Sequence, residues 1–248
     1  MAKGETRIDD LDFSAGGAAV TGSIAQNRDG LFFGQIKIAA ADISTAAALA
    51  LTEASGALNA DIKLNGAEGK QNASIRADAK GLIFGETRIG EAEIQAAVQD
   101  AFGVPMVDGS LSAVNASVSG IEIARLAANA GRQGEATSFT ASAALKNGTD
   151  AQIEGALAPE GLGYRLDLQR FDLAQGQMKA QLAKPASLLV EGRDVRVDAF
   201  VMDIGGGSVS ASGTYADTLG LDIVIRDLPL AIGNAVKPDL KLAGTVNG

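Results

Sequence analysis

The sequence lacks the residues on which most enzyme active sites depend. It contains no cysteine and no histidine among its 248 residues. Their absence excludes Ser-His-Asp and Cys-His nucleophiles, disulfides and cysteine-based zinc sites. We therefore predict that the protein is not an enzyme and has no cofactor and no metal site. A chain without cysteine also suits the oxidising bacterial envelope.

Large side chains and basic clusters are scarce as well. Tryptophan is absent, tyrosine occurs twice and aromatic residues amount to 4%, although 46% of the residues are hydrophobic. The apolar surface is therefore built from alanine, valine, isoleucine and leucine. The net charge of −9 would repel a nucleic-acid backbone, so we expect no nucleic-acid partner. No apolar run approaches the roughly 18 residues that cross a membrane.

Alternation of apolar and polar residues with a period of two dominates what is present. Such alternation places one dry and one wet face on each strand, which is typical of an antiparallel sheet. Turn pairs separate the alternating runs and predict hairpins. These pairs are Asp29-Gly30, Asn65-Gly66, Asp108-Gly109, Asn147-Gly148 and the Gly205-Gly206-Gly207 triplet.

Four short segments, each beginning with an acid followed by an aliphatic residue, predict helices. Each leads into an alternating strand that closes on glycine, which indicates a degenerate repeat of about 20 to 26 residues. Chance likeness within alanine-rich sequence is the alternative explanation. The predicted helices are Asp42–Leu51, Glu93–Phe102, Glu122–Ala130 and Asp227–Val236.

Repeats of this kind stack, because one unit cannot bury its apolar face alone. We therefore expect an all-β fold over residues 1–248: a single elongated, repetitive antiparallel sheet, curled into a U-shaped groove, with a few short helices. Small side chains on the inner wall would leave the groove unfilled. The residues predicted to line it are Leu58, Ile62, Leu64, Ile75, Leu166, Leu168, Val197, Val201, Val209, Leu221, Ile223 and Ile225.

The last quarter of the chain carries the most specific pattern. Lys184-Pro-Ala-Ser-Leu188, Gly205-Gly206-Gly207 with its Ser-rich continuation to Gly213, Leu221 to Leu230 and Pro238 to Val246 follow one another there. In this order they resemble the repeat region of TamB-like proteins, which belong to the AsmA-like group. The likeness is strongest over residues 182–248 and diffuse elsewhere.

This resemblance implies a periplasmic fragment of a longer protein, anchored in the inner membrane of a Gram-negative bacterium by regions outside this sequence. It implies a groove of the β-taco type that carries phospholipid or other acyl chains between the inner and outer membranes. It also implies a partnership with an Omp85-type outer-membrane barrel, similar to TamA, in outer-membrane protein assembly. The family has no catalytic residues to carry over.

Other patterns favour ordinary structural roles. Gly205-Gly206-Gly207 precedes no Gly-Lys-Ser/Thr and predicts a turn, and Asp9, Asp10 and Asp12 miss calcium-loop spacing and predict a solvated acidic turn. The pair Asp194 and Asp198 lacks the aromatic residues that would stack a sugar.

The alternative architecture is an autotransporter or adhesin β-helix with a filled core, a structural and interaction protein. A scaffold that receives strands at an open sheet edge is a third hypothesis.

Overall fold

A computed structural model describes residues 5–49, 51–216, 219–232 and 241–248 of the chain. The elements that lie wholly within these residues are a short helix, α1 (Ser44–Leu49), and strands joined mostly by tight turns. The strands are β1 (Thr6–Ala15), β2 (Ala18–Gln26), β3 (Phe32–Ala40), β4 (Ala54–Ala67), β5 (Lys70–Phe84), β6 (Thr87–Gln99), β7 (Met106–Val118), β8 (Ile121–Gln133), β9 (Ala136–Leu145), β10 (Thr149–Glu160), β11 (Gly163–Gln175), β12 (Met178–Leu182), β13 (Ala186–Glu191), β14 (Asp194–Ile204), β15 (Gly207–Tyr215), β16 (Leu219–Arg226), β17 (Leu228–Pro229) and β18 (Thr245–Val246).

The first sixteen strands form one antiparallel sheet in which nearly every strand pairs with its neighbours in the chain. The exception is β13, which pairs with β11 and β14 beside the shorter β12. The strands β17 and β18 form a separate two-stranded sheet. The predicted all-β, antiparallel fold class is therefore confirmed.

The chain divides into two compact units. The first unit runs from residue 1 to Arg132 and the second from Gln133 to Gly248. Within each unit most strands pair with the strand that follows them in the chain, and the step from β12 to β13 is an exception.

Three of the four predicted helices are corrected or shortened by the structure. Residues 93–99 belong to β6 and residues 122–130 to β8, whereas the first predicted segment contains the helix Ser44–Leu49. Alanine allows both conformations, so strand pairing on both sides outweighs its helix propensity. Of the fourth segment, Leu228–Pro229 forms β17, and residues 233–236 lie outside the described residues.

Two of the predicted turns lie inside strands instead. Gly66 is in β4 and Gly109 is in β7. Both glycines are required by a close approach: a Cβ on Gly66 would lie 2.8 Å from Leu31 Cβ and one on Gly109 would lie 2.2 Å from the Gln95 carbonyl oxygen. A glycine within a strand thus marks close packing here, and not a chain reversal.

The acidic cluster near the start of the chain lies on the edge strand β1, and not in a turn. A β-bulge interrupts the pairing of β1 with β2 between Ile8 and Leu11, and Asp10 takes a left-handed backbone conformation there (φ 53°). Asp9 forms an ion pair with Arg7. Charges and a bulge on an edge strand discourage further strand pairing.

Candidate functional site

The first unit presents a continuous aliphatic face across β2 to β8. Register places the apolar residues of successive strands opposite one another, and alternation places them all on one side of the sheet. We call this set the first aliphatic face. Its cross-strand rows are Ile24–Gly34–Leu64–Ala73–Val98–Val107, Gly22–Ile36–Ile62–Ile75–Ala96–Gly109–Ala130, Val20–Ile38–Ala60–Ala77–Ile94–Leu111–Ala128 and Ala18–Ala40–Leu58–Ala79–Ala92–Ala113–Leu126.

The second unit presents a corresponding face on β10 to β16, the second aliphatic face. Its rows are shorter because β11 and β14 each contain a bulge. The rows are Gly155–Leu168–Ala186, Leu157–Leu166–Leu188–Val197–Gly213–Leu221, Phe200–Ala211–Ile223 and Leu182–Met202–Val209–Ile225.

Eleven of the twelve residues predicted to line the groove belong to these two faces, and Val201 does not. Val197 pairs with Gly213, whereas the next pair along β14 is Phe200 with Ala211. The bulge between these pairs shifts the alternation by one residue. Val201 consequently lies opposite Ser210 on the other side of the sheet, so its assignment to the apolar face was wrong. Whether the other eleven contact a lipid stays a prediction.

Burial shows that the aliphatic face is the more covered side of the sheet. Adjacent alanines on the two sides provide a matched comparison: Ala40 is 3% exposed, whereas Ala39 is an exposed residue. Ala96 and Ala97 differ in the same direction, with Ala97 the exposed one. The larger aliphatic neighbours therefore screen their own side from water.

This screening falls short of a filled core. Of the nine buried hydrophobic residues in the described chain, six are alanines and only Leu31, Leu168 and Met202 are larger. No large side chain there is less than 2% exposed. A packed interior of this size would bury several leucines and isoleucines completely. The aliphatic faces thus retain partial access from solvent.

Sequence reasoning missed one further row of the first unit. Leu82, Ile89, Ala116 and Ile123 lie opposite one another beyond a line of irregular positions. Gly81 (φ 58°) and Asn115 (φ 53°) adopt left-handed conformations along that line. Burial assigns the row to the covered side, since Ala116 is only 4% exposed. Strict period-two alternation predicts that this row lies on the other side of the sheet. The left-handed residues shift the alternation by one position, and the sequence pattern alone did not indicate them.

One margin of the first aliphatic face is closed by the loop and strand start at residues 27–33, which we call the strap. Leu31, 7% exposed, and Phe33 cover Gly66 at the end of β4. Asn27 Oδ1 stabilises the loop by accepting hydrogen bonds from the backbone N–H groups of Asp29 (3.0 Å) and Leu31 (2.9 Å).

A buried glutamine fastens the strap to β5. Gln71, 3% exposed, accepts a hydrogen bond from the Phe32 N–H at 2.7 Å and donates to the Phe32 and Asn72 carbonyl oxygens at 3.1 and 2.9 Å. Its backbone oxygen accepts from the Ala101 N–H at 2.7 Å. Phe102, from the same loop as Ala101, meets Phe32 edge to face at 6.4 Å. These contacts join the β2–β3 connection, the start of β5 and the β6–β7 connection. We call this edge of the first aliphatic face the strap margin.

The opposite margin, where β3, β5 and β7 end, carries α1, and we call it the helix margin. Thr45 lies against Gly16 in the β1–β2 turn. Asp42 joins the start of α1 to β4, because it accepts hydrogen bonds from the Ser44 N–H and hydroxyl (2.9 and 3.0 Å) and the Gly56 N–H (3.3 Å). These bonds, led by that of the Ser44 N–H, lower the pKa of the Asp42 carboxyl below its ordinary value of 3.8.

The other side of the first unit is polar and charge-balanced. A depression of about 540 Å³ lies there, and its lining includes Asp61, Lys63, Arg76 and Asp108, two charges of each sign. Gln35 Nε2 donates to both Asp61 carboxylate oxygens at 2.8 and 2.9 Å. This side therefore has its own concavity, but its side chains are solvated and carry no excess charge for a ligand of one sign.

Comparisons with known proteins were negative. No family model, curated protein or solved structure matches the chain. The resemblance to TamB-like proteins therefore rests on the sequence pattern alone and stays a prediction. Within the described part of the chain, no helix is both long enough and apolar enough to traverse a bilayer.

Proposed function

We propose that this protein holds lipid acyl chains on its aliphatic faces and lets them slide from strand to strand. The observation that carries the proposal is the unbroken aliphatic side of β2 to β8, which has no second layer of large side chains among the described residues. An acyl chain leaving water gains roughly 0.8 kcal/mol per buried CH₂. Because neighbouring rows are chemically alike, moving along the sheet costs little.

In this proposal the chain is a periplasmic fragment of a TamB-like protein that bridges the inner and outer membranes of a Gram-negative bacterium. Phospholipid is the ligand that the resemblance implies. An adhesin-type β-helix fits less well, since its coils would stack as parallel strands, whereas the described strands pair antiparallel. Its filled core would also bury large aliphatic side chains fully.

The test compares Ile75→Asp with Ser74→Asp, neighbours in β5 on opposite sides of the sheet. Ile75 pairs with Ile62 on the first aliphatic face, whereas Ser74 pairs with Lys63 on the polar side. Native mass spectrometry of the purified chain should detect co-purified phospholipid in the wild type and in Ser74→Asp, but not in Ile75→Asp. Absence of lipid from the wild type, or equal lipid in both variants, would overturn the proposal.

A second function, support of outer-membrane protein assembly with an Omp85-type barrel, is favoured by a contrast between the sheet edges. The edge strand β1 carries three aspartates and a bulge. The edge strand β16 instead exposes Leu221 (36%), Ile223 (57%) and Val224 (41%). Its outer side already accepts antiparallel pairing, because Ile225 exchanges two backbone hydrogen bonds with Gly248 (2.6 and 3.0 Å).

Such an edge suits the addition of an incoming strand. The backbone groups of Ile223 point to the same outer side as those of Ile225, two residues on. Ile223→Pro removes one outward N–H donor and should weaken binding of a labelled peptide from an outer-membrane β-strand. Unchanged peptide binding in a folded variant would exclude this edge as the binding surface.

A further inference from the structure

We propose that acyl chains enter the first aliphatic face from the helix margin, with the lipid headgroup left in water at that margin. This inference rests on the proposed lipid-carrying function and adds a direction to it. Two observations carry it: the closure of the strap margin and the exposed apolar side chains of the helix margin.

The strap margin is closed by a structure with fixed contacts. Leu31 and Phe33 occupy the space over Gly66, where even a Cβ would lie within 2.8 Å of their atoms. Gln71 holds the strap through both backbone groups of Phe32. A chain arriving from this side would have to displace a buried leucine and break a buried hydrogen-bonded pair.

The helix margin instead displays large apolar side chains to solvent. They lie at the end of α1, in the connection from α1 to β4, and at the ends of β5, β7 and β8 that meet at this margin. We call this set the apolar rim. Its members are Leu49 (65% exposed), Leu51 (96%), Phe84 (58%), Val118 (42%) and Ile121 (55%).

Leu51 is the most informative member of the rim. Its left-handed conformation (φ 55°) closes α1, because the backbone N–H groups of Leu51 and Thr52 donate to the carbonyl oxygens of Ala48 (3.0 Å) and Ala47 (2.9 Å). Its side chain nevertheless stays almost wholly exposed. That exposure does not stabilise the fold of the free protein, and it is explained if the side chain meets an apolar ligand at the entrance to the face.

Charged residues lie at both margins, so the direction follows from the apolar side chains and the closure alone. The strap margin carries an ion pair in which Lys70 lies 3.6 Å from Asp100, and the helix margin carries Glu53 and Glu86. Among the described residues, only at the helix margin does a row of exposed apolar side chains lead to an edge of the face that no strap covers, so the acyl chain can enter there while its polar headgroup stays hydrated.

The absence of tryptophan permits a direct test by fluorescence. Phe84→Trp places a reporter on the rim, and Phe102→Trp is its matched control, because Phe102 is similarly exposed (65% against 58%) but lies at the strap margin. A third variant, Ile75→Trp, reports on the face itself. Each variant is mixed with phosphatidylcholine vesicles whose acyl chains carry quenching bromine atoms near the headgroup end or near the methyl end.

We expect the Phe84→Trp reporter to lose at least half of its fluorescence with bromine near the headgroup, and less with bromine near the methyl end. The Phe102→Trp reporter should change by less than a tenth. Stronger quenching at Phe102→Trp, or equal quenching at both, would overturn the direction. Quenching of Ile75→Trp alone would show lipid on the face without entry at the rim, and would overturn it too. If none of the three is quenched, the proposed function itself fails.

Discussion

A carboxylate on the second aliphatic face should weaken lipid binding strongly without unfolding the protein. Ile223 is suitable because it belongs to the second aliphatic face, yet 57% of it is exposed. Burying an isoleucine completely contributes roughly 1.5–3 kcal/mol to stability, and Ile223 is less than half buried. Its replacement should therefore lower the free energy of unfolding by about 1 kcal/mol. The new carboxylate stays hydrated, so it adds no large desolvation cost.

The neighbouring residue supplies the control. Val224 is 41% exposed and lies on the opposite side of β16, where it pairs with Ser210. Val224→Asp should thus cost about the same stability, including the loss of a β-branched residue in a strand. It should leave lipid binding unchanged. Leu168→Asp, at a position only 8% exposed, should destabilise the fold by about 4 kcal/mol or more.

The effect on the ligand should be larger than the effect on the fold. A carboxylate beneath an acyl chain removes the contacts of about three methylene groups, or about 2.4 kcal/mol. That loss corresponds to a roughly 60-fold weaker affinity for a fluorescent fatty acid. Urea unfolding and ligand titration on the three variants separate the two effects. Unfolding of Ile223→Asp comparable to Leu168→Asp, or equal loss of affinity in Val224→Asp, would refute the open-face argument.

Three further outcomes are expected. Gln71→Leu should lower the free energy of unfolding by about 2–4 kcal/mol, because buried partners lose their hydrogen bonds, whereas Gln95→Leu on the exposed side should change it little; urea denaturation decides. Gly66→Ala should cost about 1–3 kcal/mol through its clash with the strap, and equal stability of Gly66→Ala and Gly220→Ala would contradict the close approach. The hydrogen bonds that lower the pKa of the Asp42 carboxyl stabilise the helix margin. This stabilisation is complete above pH 3.8 and is lost as the pH falls through the folded-state pKa. Asp42→Asn should therefore make the free energy of unfolding less dependent on pH in this range, as measured by urea unfolding at a series of acid pH values.

The sequence by itself determined the fold class and placed eleven residues on the two aliphatic faces. Period-two alternation is a local property, and it survives in any antiparallel sheet whose strands keep their register. This is why Ile62, Ile75, Leu166 and Ile223 could be assigned to an apolar side before their partners were known. The absence of histidine, cysteine and tryptophan bounded the chemistry in the same way.

Tertiary structure decided what local pattern leaves open. Alanine-rich segments such as residues 122–130 became strands because pairing on both sides outweighs helix propensity. Val201 lies on the side opposite to the predicted one because of the bulge in β14. A bulge depends on how two strands pair, so the alternation within β14 alone does not predict it. The side chain of Gln71 is hydrogen-bonded to the backbone of Phe32, 39 positions away in the chain. No local sequence pattern predicts a contact over that separation. The two margins of the first aliphatic face differ for the same reason: one is closed by a long-range contact, and the other is left apolar and open.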